Sequence, residues 1–209
     1  MAYRRTPAVL DRLAGTRESI LRGATEVLSE SGYAGCTMSA VGARAGVGTG
    51  TIYRFFAGKG ELFAEVFAYV SSRELDRARE AALAVFDGPG ERRTAAAIVA
   101  AVDTFCRRAF ASPRLAYALI AEPVDPLVEA QRLEFYAGHA DVYAAMIADG
   151  ITAGELVQQD PRTTGAAIVG AVSGALIAPL ARGEVDHTVI DALPAFVERA
   201  LGEIPATGR

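Results

Sequence analysis

Apolar positions recur along this chain at the three- and four-residue spacing of helices, and no segment alternates apolar with polar residues as a half-buried strand requires. Near the start, Ile20, Leu21, Ala24, Val27 and Leu28 form one apolar side and predict a first helix over residues 16–31, ended by Gly32. Met38, Val41 and Ala45 stripe a short helix, which Thr37 can cap because its hydroxyl accepts a bond from an otherwise unpaired amide. Gly46 reaches the left-handed backbone conformation without steric cost, so Ala45-Gly46-Val47 predicts a sharp turn with Val47 plugged between two helices. A second short helix over 49–56 turns Ile52 and Phe56 inward beside Val47. Leu62, Phe63, Val66, Phe67 and Val70 then continue into a longer helix from near Glu61 to Phe86.

Asp87-Gly-Pro-Gly90 is the clearest break. Helical segments follow near residues 91–111, 114–121, 125–149, 163–181 and 188–201, the last with a kink expected at Pro194. The fold class is therefore all-α, with neither an internal repeat nor a low-complexity tract. Two units are expected, a three-helix head over residues 14–74 and a helical body over residues 75–209.

The corner between the two short helices is the hinge of a helix-turn-helix. Its second helix leaves Thr49, Gly50, Thr51, Tyr53 and Arg54 on the outer side, compact at the end where a recognition helix approaches base edges. Thr51 offers a hydroxyl and a methyl, Arg54 can fork onto guanine or pair with phosphate, and the Tyr53 phenol suits a phosphate oxygen. Lys59 places a cation beside the next helix start, where an anion is favoured.

This segment resembles the DNA-binding region of the tetracycline-repressor (TetR) family of bacterial transcriptional regulators. The residues that carry the likeness are Thr37, Ala45-Gly46-Val47, Gly50-Thr51, Tyr53, Phe56, Lys59 and Leu62, preceded by a helix ending in Ser31-Gly32-Tyr33. The resemblance implies that Met38, Thr49, Gly50, Thr51 and Arg54 read bases and that Thr37, Tyr53 and Lys59 grip the backbone. Arg44 and Gly48 complete the candidate DNA-contacting set. The chain departs from the family pattern at Gly42, where alanine is usual, at Gly48, where a capping side chain is usual, and at Gly58 and Gly60 around Lys59.

Nucleotide-binding loops fail on spacing. The pattern GxxxxGK[ST] would need glycine at position 53 and a hydroxyl at position 60, where Tyr53 and Gly60 stand. The pattern GxGxxG would need a preceding strand and a glycine at position 51. The net charge of −4 argues at first against a nucleic-acid binder, but residues 1–60 carry eight Arg or Lys against four acids, leaving the remainder at −8. A basic head on an acidic body is the polarity expected when one end faces phosphate. Arg4, Arg5 and Arg12 could form a loose basic arm. Cys36 and Cys106 lie 70 positions apart with no CxxC pair, so a reducing, cytoplasmic compartment is expected and Cys106 reads as a buried filler rather than a redox sensor. Met1 to Arg22 is polar and charged, so a secretory leader is not expected.

Residues 163–181 are uncharged, close to the length of a membrane span, but rich in alanine and glycine. Gly170 and Gly174, four apart, let another helix approach, so a subunit interface fits better. Gly170, Gly174, Ile177, Leu193, Phe196 and Val197 are the candidate dimer residues, and the resemblance implies a four-helix homodimer contact. It also implies a small-molecule pocket in the body, for which Phe105, Tyr117, Phe135, Tyr136, His139, Tyr143 and Met146 are candidates. Arg107, Arg108 and Glu122 are charges that could orient a charged effector. His139 and His187 lack a second ligand at helical spacing, so no metal is expected. No catalytic constellation and no cofactor signature is present, so no catalytic residue is assigned. The expected function is a ligand-responsive repressor acting as a homodimer on a palindromic operator, with double-stranded DNA and an effector as partners and no membrane. A small helical enzyme or a membrane-associated helical protein is the alternative.

Overall fold

The computed structural model describes residues 7–87 and 93–202, and every described element is a helix. In chain order these are α1 (Pro7–Gly35), α2 (Met38–Ala45), α3 (Thr49–Ile52), α4 (Lys59–Phe86), α5 (Thr94–Ala111), α6 (Pro113–Ile120), α7 (Pro126–Thr152), α8 (Pro161–Arg182) and α9 (His187–Leu201). Local chemistry sets their starts. Asp125, Asp160 and Asp186 accept backbone amides of the first turns of α7, α8 and α9, and Pro126 and Pro161 follow where no amide bond is lost.

Two apolar cores share α4, α6 and α7. One gathers Ile20, Ala24, Val41, Ile52, Phe56, Leu62, Phe63 and Val66 under α1 to α3, and it also takes in Ala118, Leu119, Val128 and Phe135 from α6 and α7. The other gathers Ile98, Val102, Cys106, Tyr143, Ile147, Ile168, Leu176 and Val197 across α5, α7, α8 and α9. The head is therefore not sealed off by its own residues: α6 and α7 complete it.

Two expectations are corrected. The first helix begins at Pro7 rather than near Thr16, so Arg12 belongs to it and not to a loose arm; Arg4 and Arg5 lie outside the described residues. Gly32, with a φ of 65° and a ψ of 178°, breaks the helical path at the expected place, and a short separate stretch continues to Gly35. Helix α3 is regular only to Ile52. Beyond it, Arg54 and Phe55 donate to the carbonyls of Thr51 and Ile52, three residues back, and tighten the last turn. The expected break at residues 88–90 falls outside the described residues. Helix α9 continues through Pro194.

Helix α8 is the one described helix long and apolar enough to cross a membrane, with a mean hydropathy of 1.8. Ile168, Val172, Leu176 and Leu180 bury one of its sides in the body core. Gly170, Gly174, Ile177 and Ala178 stay exposed on the other.

Candidate nucleic-acid interface

Thr37 accepts the Ala40 amide at 3.1 Å and starts α2, and Gly46 ends it with a left-handed φ of 68°. The turn closes on Gly42, whose carbonyl accepts the amides of Gly46 and of Val47, the latter at 2.9 Å. A Cβ on Gly42 would lie 2.8 Å from the Val47 carbonyl oxygen, closer than real side chains approach. The departure from alanine at this position is thus a steric requirement of the corner. Ile52 and Phe56 are fully buried behind it, which fixes the outward side of α3.

That side is uncovered by the other described residues. Gly48, Thr49, Gly50, Tyr53 and Arg54 are exposed, Tyr53 by 56%, and Thr51 is half-buried. Met38 is half-buried against the head core. Gly48 caps α3 without a side-chain bond, leaving the first amides of the short helix facing outward. Thr37 is exposed beside them.

Two cations of the predicted set are already engaged. Arg44 forks onto Glu30 at 2.9 and 2.6 Å and reaches Glu26 at 3.1 Å, fastening α2 to α1 and holding the Glu30 carboxyl below the usual range. Its charge is compensated within the head. Lys59 donates to the Tyr33 carbonyl at 2.7 Å and sits 4.2 Å above the Tyr33 ring. It braces the end of α1 against the start of α4, and the ammonium keeps two further protons for an anion. The start of α4 itself is capped by the Glu61 carboxylate, which accepts the Ala57 amide in place of a side chain at Gly58.

The joint between head and body had no clear sequence signal. Glu122, buried after α6, accepts the amides of Tyr33 and Ala34 at 2.8 and 3.3 Å. Arg114 of α6 donates to the Ser31 carbonyl at 3.2 Å and covers Gly32. Buried Arg132 of α7 ties off the C-terminal end of α6 through the carbonyls of Ala118, Leu119 and Glu122. The expected effector charges are therefore structural in this state. Arg107 pairs with Asp103, Arg108 with Glu74, and Glu122 with the backbone of α1.

Residues 20–66 match the family model described as bacterial regulatory proteins, tetR family. That match assigns the tetR-family DNA-binding region to residues 20–66. An uncharacterized HTH-type transcriptional regulator, YhgD, of Bacillus subtilis is 42% identical over 65 residues, an alignment that spans 31% of this chain and 34% of that protein. The chain thus matches about a third of that relative's length. Among solved structures, the fatty acid degradation regulator FadR of Bacillus halodurans superposes with a TM-score of 0.73 at 20% identity, covering 99% of this chain and all of that one. FadR of Bacillus subtilis, solved in complex with stearoyl-CoA, superposes with the same score at 18% identity over 90% of this chain and 98% of that one. These two likenesses show that the fold is shared across the body as well as the head.

In the body the candidate pocket residues divide. Phe105 and Phe135 line a cavity of about 130 Å³ beside α6, between Glu74, Arg108 and Leu115. His139, Tyr143 and Met146 line a second of about 290 Å³ between α4 and α7. Tyr117 and Tyr136 line neither: Tyr117 packs on the body core, and the Tyr136 hydroxyl donates to the Ile120 carbonyl at 2.8 Å. Cys106 is fully buried, and burial pushes its thiol up to about 12, which suits packing rather than oxidation.

The candidate dimer residues divide as well. Gly170, Gly174, Ile177 and Phe196 are exposed, Phe196 by 43%. Leu193 and Val197 are buried in the chain's own core, on the α9 side turned to α5, and are corrected to core positions.

Proposed function

We propose that this protein is a cytoplasmic, sequence-specific DNA-binding regulator of transcription, acting as a homodimeric repressor on a palindromic operator and released by a small effector. The observation that carries this reading is the uncovered side of α3. Thr49, Gly50, Tyr53 and Arg54 stand clear of the other described residues while Ile52 and Phe56 hold the helix from behind. A slim helix end of this kind enters a major groove, where Thr49, Thr51 and Arg54 meet base edges and Thr37, Tyr53 and Lys59 meet phosphates. Gly48 and Gly50 allow close backbone approach. Met38 flanks the base-reading positions.

So short a reading surface gains affinity by pairing with a second copy, which also explains why a palindrome suits it. The exposed small-residue side of α8 around Gly170, Gly174 and Ile177, with Phe196 of α9, supports a four-helix contact of that kind. Repression follows if the apo dimer holds its heads at operator spacing and an effector favours another spacing. A binding role without catalysis, metal or cofactor is the economical reading of the described body, where buried Glu122 and Arg132 serve structural bonds. Neither an enzyme nor a membrane protein is needed to account for α8, whose buried side belongs to the body core.

The test is recovery of fragments of the source genome on the purified protein, followed by sequencing. Enrichment of fragments that share an inverted repeat, bound with two chains per site, supports the reading. Uniform recovery of all fragments refutes it.

A further inference from the structure

Tyr33 is gripped by the body through its amide and itself grips Lys59 through its carbonyl and ring. The amide donates to the Glu122 carboxylate at 2.8 Å, and the next amide, that of Ala34, does so at 3.3 Å. Gly32 breaks the helical path immediately before them, and amides at such a break need an acceptor from outside the helix ladder. Glu122 is 6% exposed, and buried Arg132 holds its carbonyl at 2.6 Å. On the other side of the residue, the Lys59 ammonium donates to the Tyr33 carbonyl at 2.7 Å and stands 4.2 Å from the centroid of the ring. Phe63 packs edge-on against that ring at 5.5 Å.

A second contact sets the body against the start of α4. A Cβ on Gly60 would lie 2.8 Å from the Asp125 carboxylate, so the departure from the family pattern at Gly60 leaves room for a body side chain next to Lys59. Asp125 is anchored by the α7 amide of Leu127 at 2.9 Å. Burial, and next the Asp125 carboxylate, hold the Tyr33 phenol above its ordinary pKa. Lys59 is also the only lysine of the chain, which otherwise uses arginine for its permanent positive charges. An ammonium is a compact charge that can meet a carbonyl oxygen and a ring face of one residue together, whereas a planar guanidinium spreads its donors in a fixed fork. The residue type fits the seat that Tyr33 offers.

We propose that Tyr33 is a positioning residue for DNA binding: the body holds it through Glu122, and Tyr33 in turn holds the Lys59 ammonium where a backbone phosphate meets it. Its bearing on DNA rests on the regulator reading, in which Lys59 meets a phosphate; the hold on Lys59 itself is independent of DNA. The seated ammonium keeps two protons for the phosphate, and a side chain already fixed has less rotamer freedom to lose on binding.

Because the chain has one lysine, isotope-labelled lysine gives one ε-methylene signal by NMR, and the Tyr33 ring shifts it upfield of free lysine. Glu122→Ala, its fold verified by circular dichroism, moves that signal toward the free-lysine position. Glu122→Asp, which keeps the charge and shortens its reach, moves it the same way by less, so the test does not depend on the alanine variant folding. Lost stability alone would leave the signal of the folded chain in place. On a random-sequence duplex, Glu122→Ala weakens binding by about twofold or more, the lower range for residues in one bonded network, and makes no further difference once Lys59 is replaced by alanine. An unshifted lysine signal in the unsubstituted chain, a signal unmoved in both Glu122 variants, losses that multiply in the double variant, or tighter duplex binding by Glu122→Ala overturns the proposal. A failure of the regulator reading appears separately, as absence of duplex binding by the unsubstituted chain while the lysine signal still responds to Glu122.

Discussion

The Glu122 carboxylate and the Tyr33 amide, 2.8 Å apart, join the body to the DNA-binding head across a sequence separation of 89 residues. Glu122 also takes the Ala34 amide, and its own carbonyl is held by Arg132 at 2.6 Å, so one residue links α1, the end of α6 and α7. Removing it takes the carboxylate from two amides in a part-buried joint. Glu122→Ala is expected to lower the free energy of unfolding by about 2 kcal/mol, within the range for bonds to a charged group. Urea denaturation checks this, and an unchanged midpoint would mean that the joint is not under this control.

Gly42 gives a prediction in which two effects oppose each other. Alanine favours a helix over glycine by about 1 kcal/mol, yet its Cβ would sit 2.8 Å from the Val47 carbonyl oxygen. Backbone cannot yield as a flexible side chain can, so overpacking of about 1 to 3 kcal/mol wins. Gly42→Ala is expected to lower the unfolding midpoint and weaken DNA binding. A more stable protein would show that the corner is looser than described.

The four head positions act differently on DNA. Arg54→Ala and Thr51→Ala change preference among operator variants by about 1 to 3 kcal/mol if they read bases. Tyr53→Phe weakens all duplexes alike and leaves the salt slope unchanged, because a neutral phenol releases no counterion. Lys59→Ala weakens all duplexes alike, flattens the salt dependence and also lowers stability, because its ammonium bonds the Tyr33 carbonyl. Binding titrations across salt concentrations, paired with melting curves, distinguish these outcomes; a sequence-dependent effect of Lys59→Ala would contradict its assignment.

Gly174 and Val197 separate interface from core. A Cβ on Gly174 meets nothing within 4 Å, so Gly174→Asp leaves the single chain folded and shifts sedimentation toward monomer. Val197 is fully buried, and Val197→Asp is expected to unfold the body. A stable dimer carrying Gly174→Asp would move the contact away from α8.

His139 makes stability depend on pH. Burial is the main cause of its lowered pKa, aided by Arg79 and opposed by the Phe135 carbonyl and Glu74. A histidine depressed below the ordinary 6.5 contributes fully above that value, and the contribution is lost as pH falls through the folded pKa. The denaturation midpoint is expected to fall between about pH 7 and pH 5, and less steeply in His139→Phe. Equal slopes would contradict a buried, neutral ring.

Much of the head was legible because its signals are local. Thr37, Gly46 and the buried Ile52 and Phe56 act within a few residues, through a cap, a left-handed turn and a short apolar stripe. Arg44 was less so: its partners Glu26 and Glu30 lie on another helix, and nothing in the spacing shows that the charge is compensated. Glu122 read as an exposed effector charge because its amide partners are far off in the chain. In the same way, α9 shows an apolar stripe, but only packing against α5 shows that Leu193 and Val197 belong inside while Phe196 remains outside.

The central claim is that the outer side of α3 enters duplex DNA, and selection from a randomised duplex pool at moderate ionic strength tests it most directly. The account predicts convergence on an inverted repeat, with Arg54→Ala relaxing the preference at one position of each half-site. No enrichment with the unsubstituted protein, or the same repeat selected with equal stringency after Arg54 and Thr51 are both replaced by alanine, would contradict it.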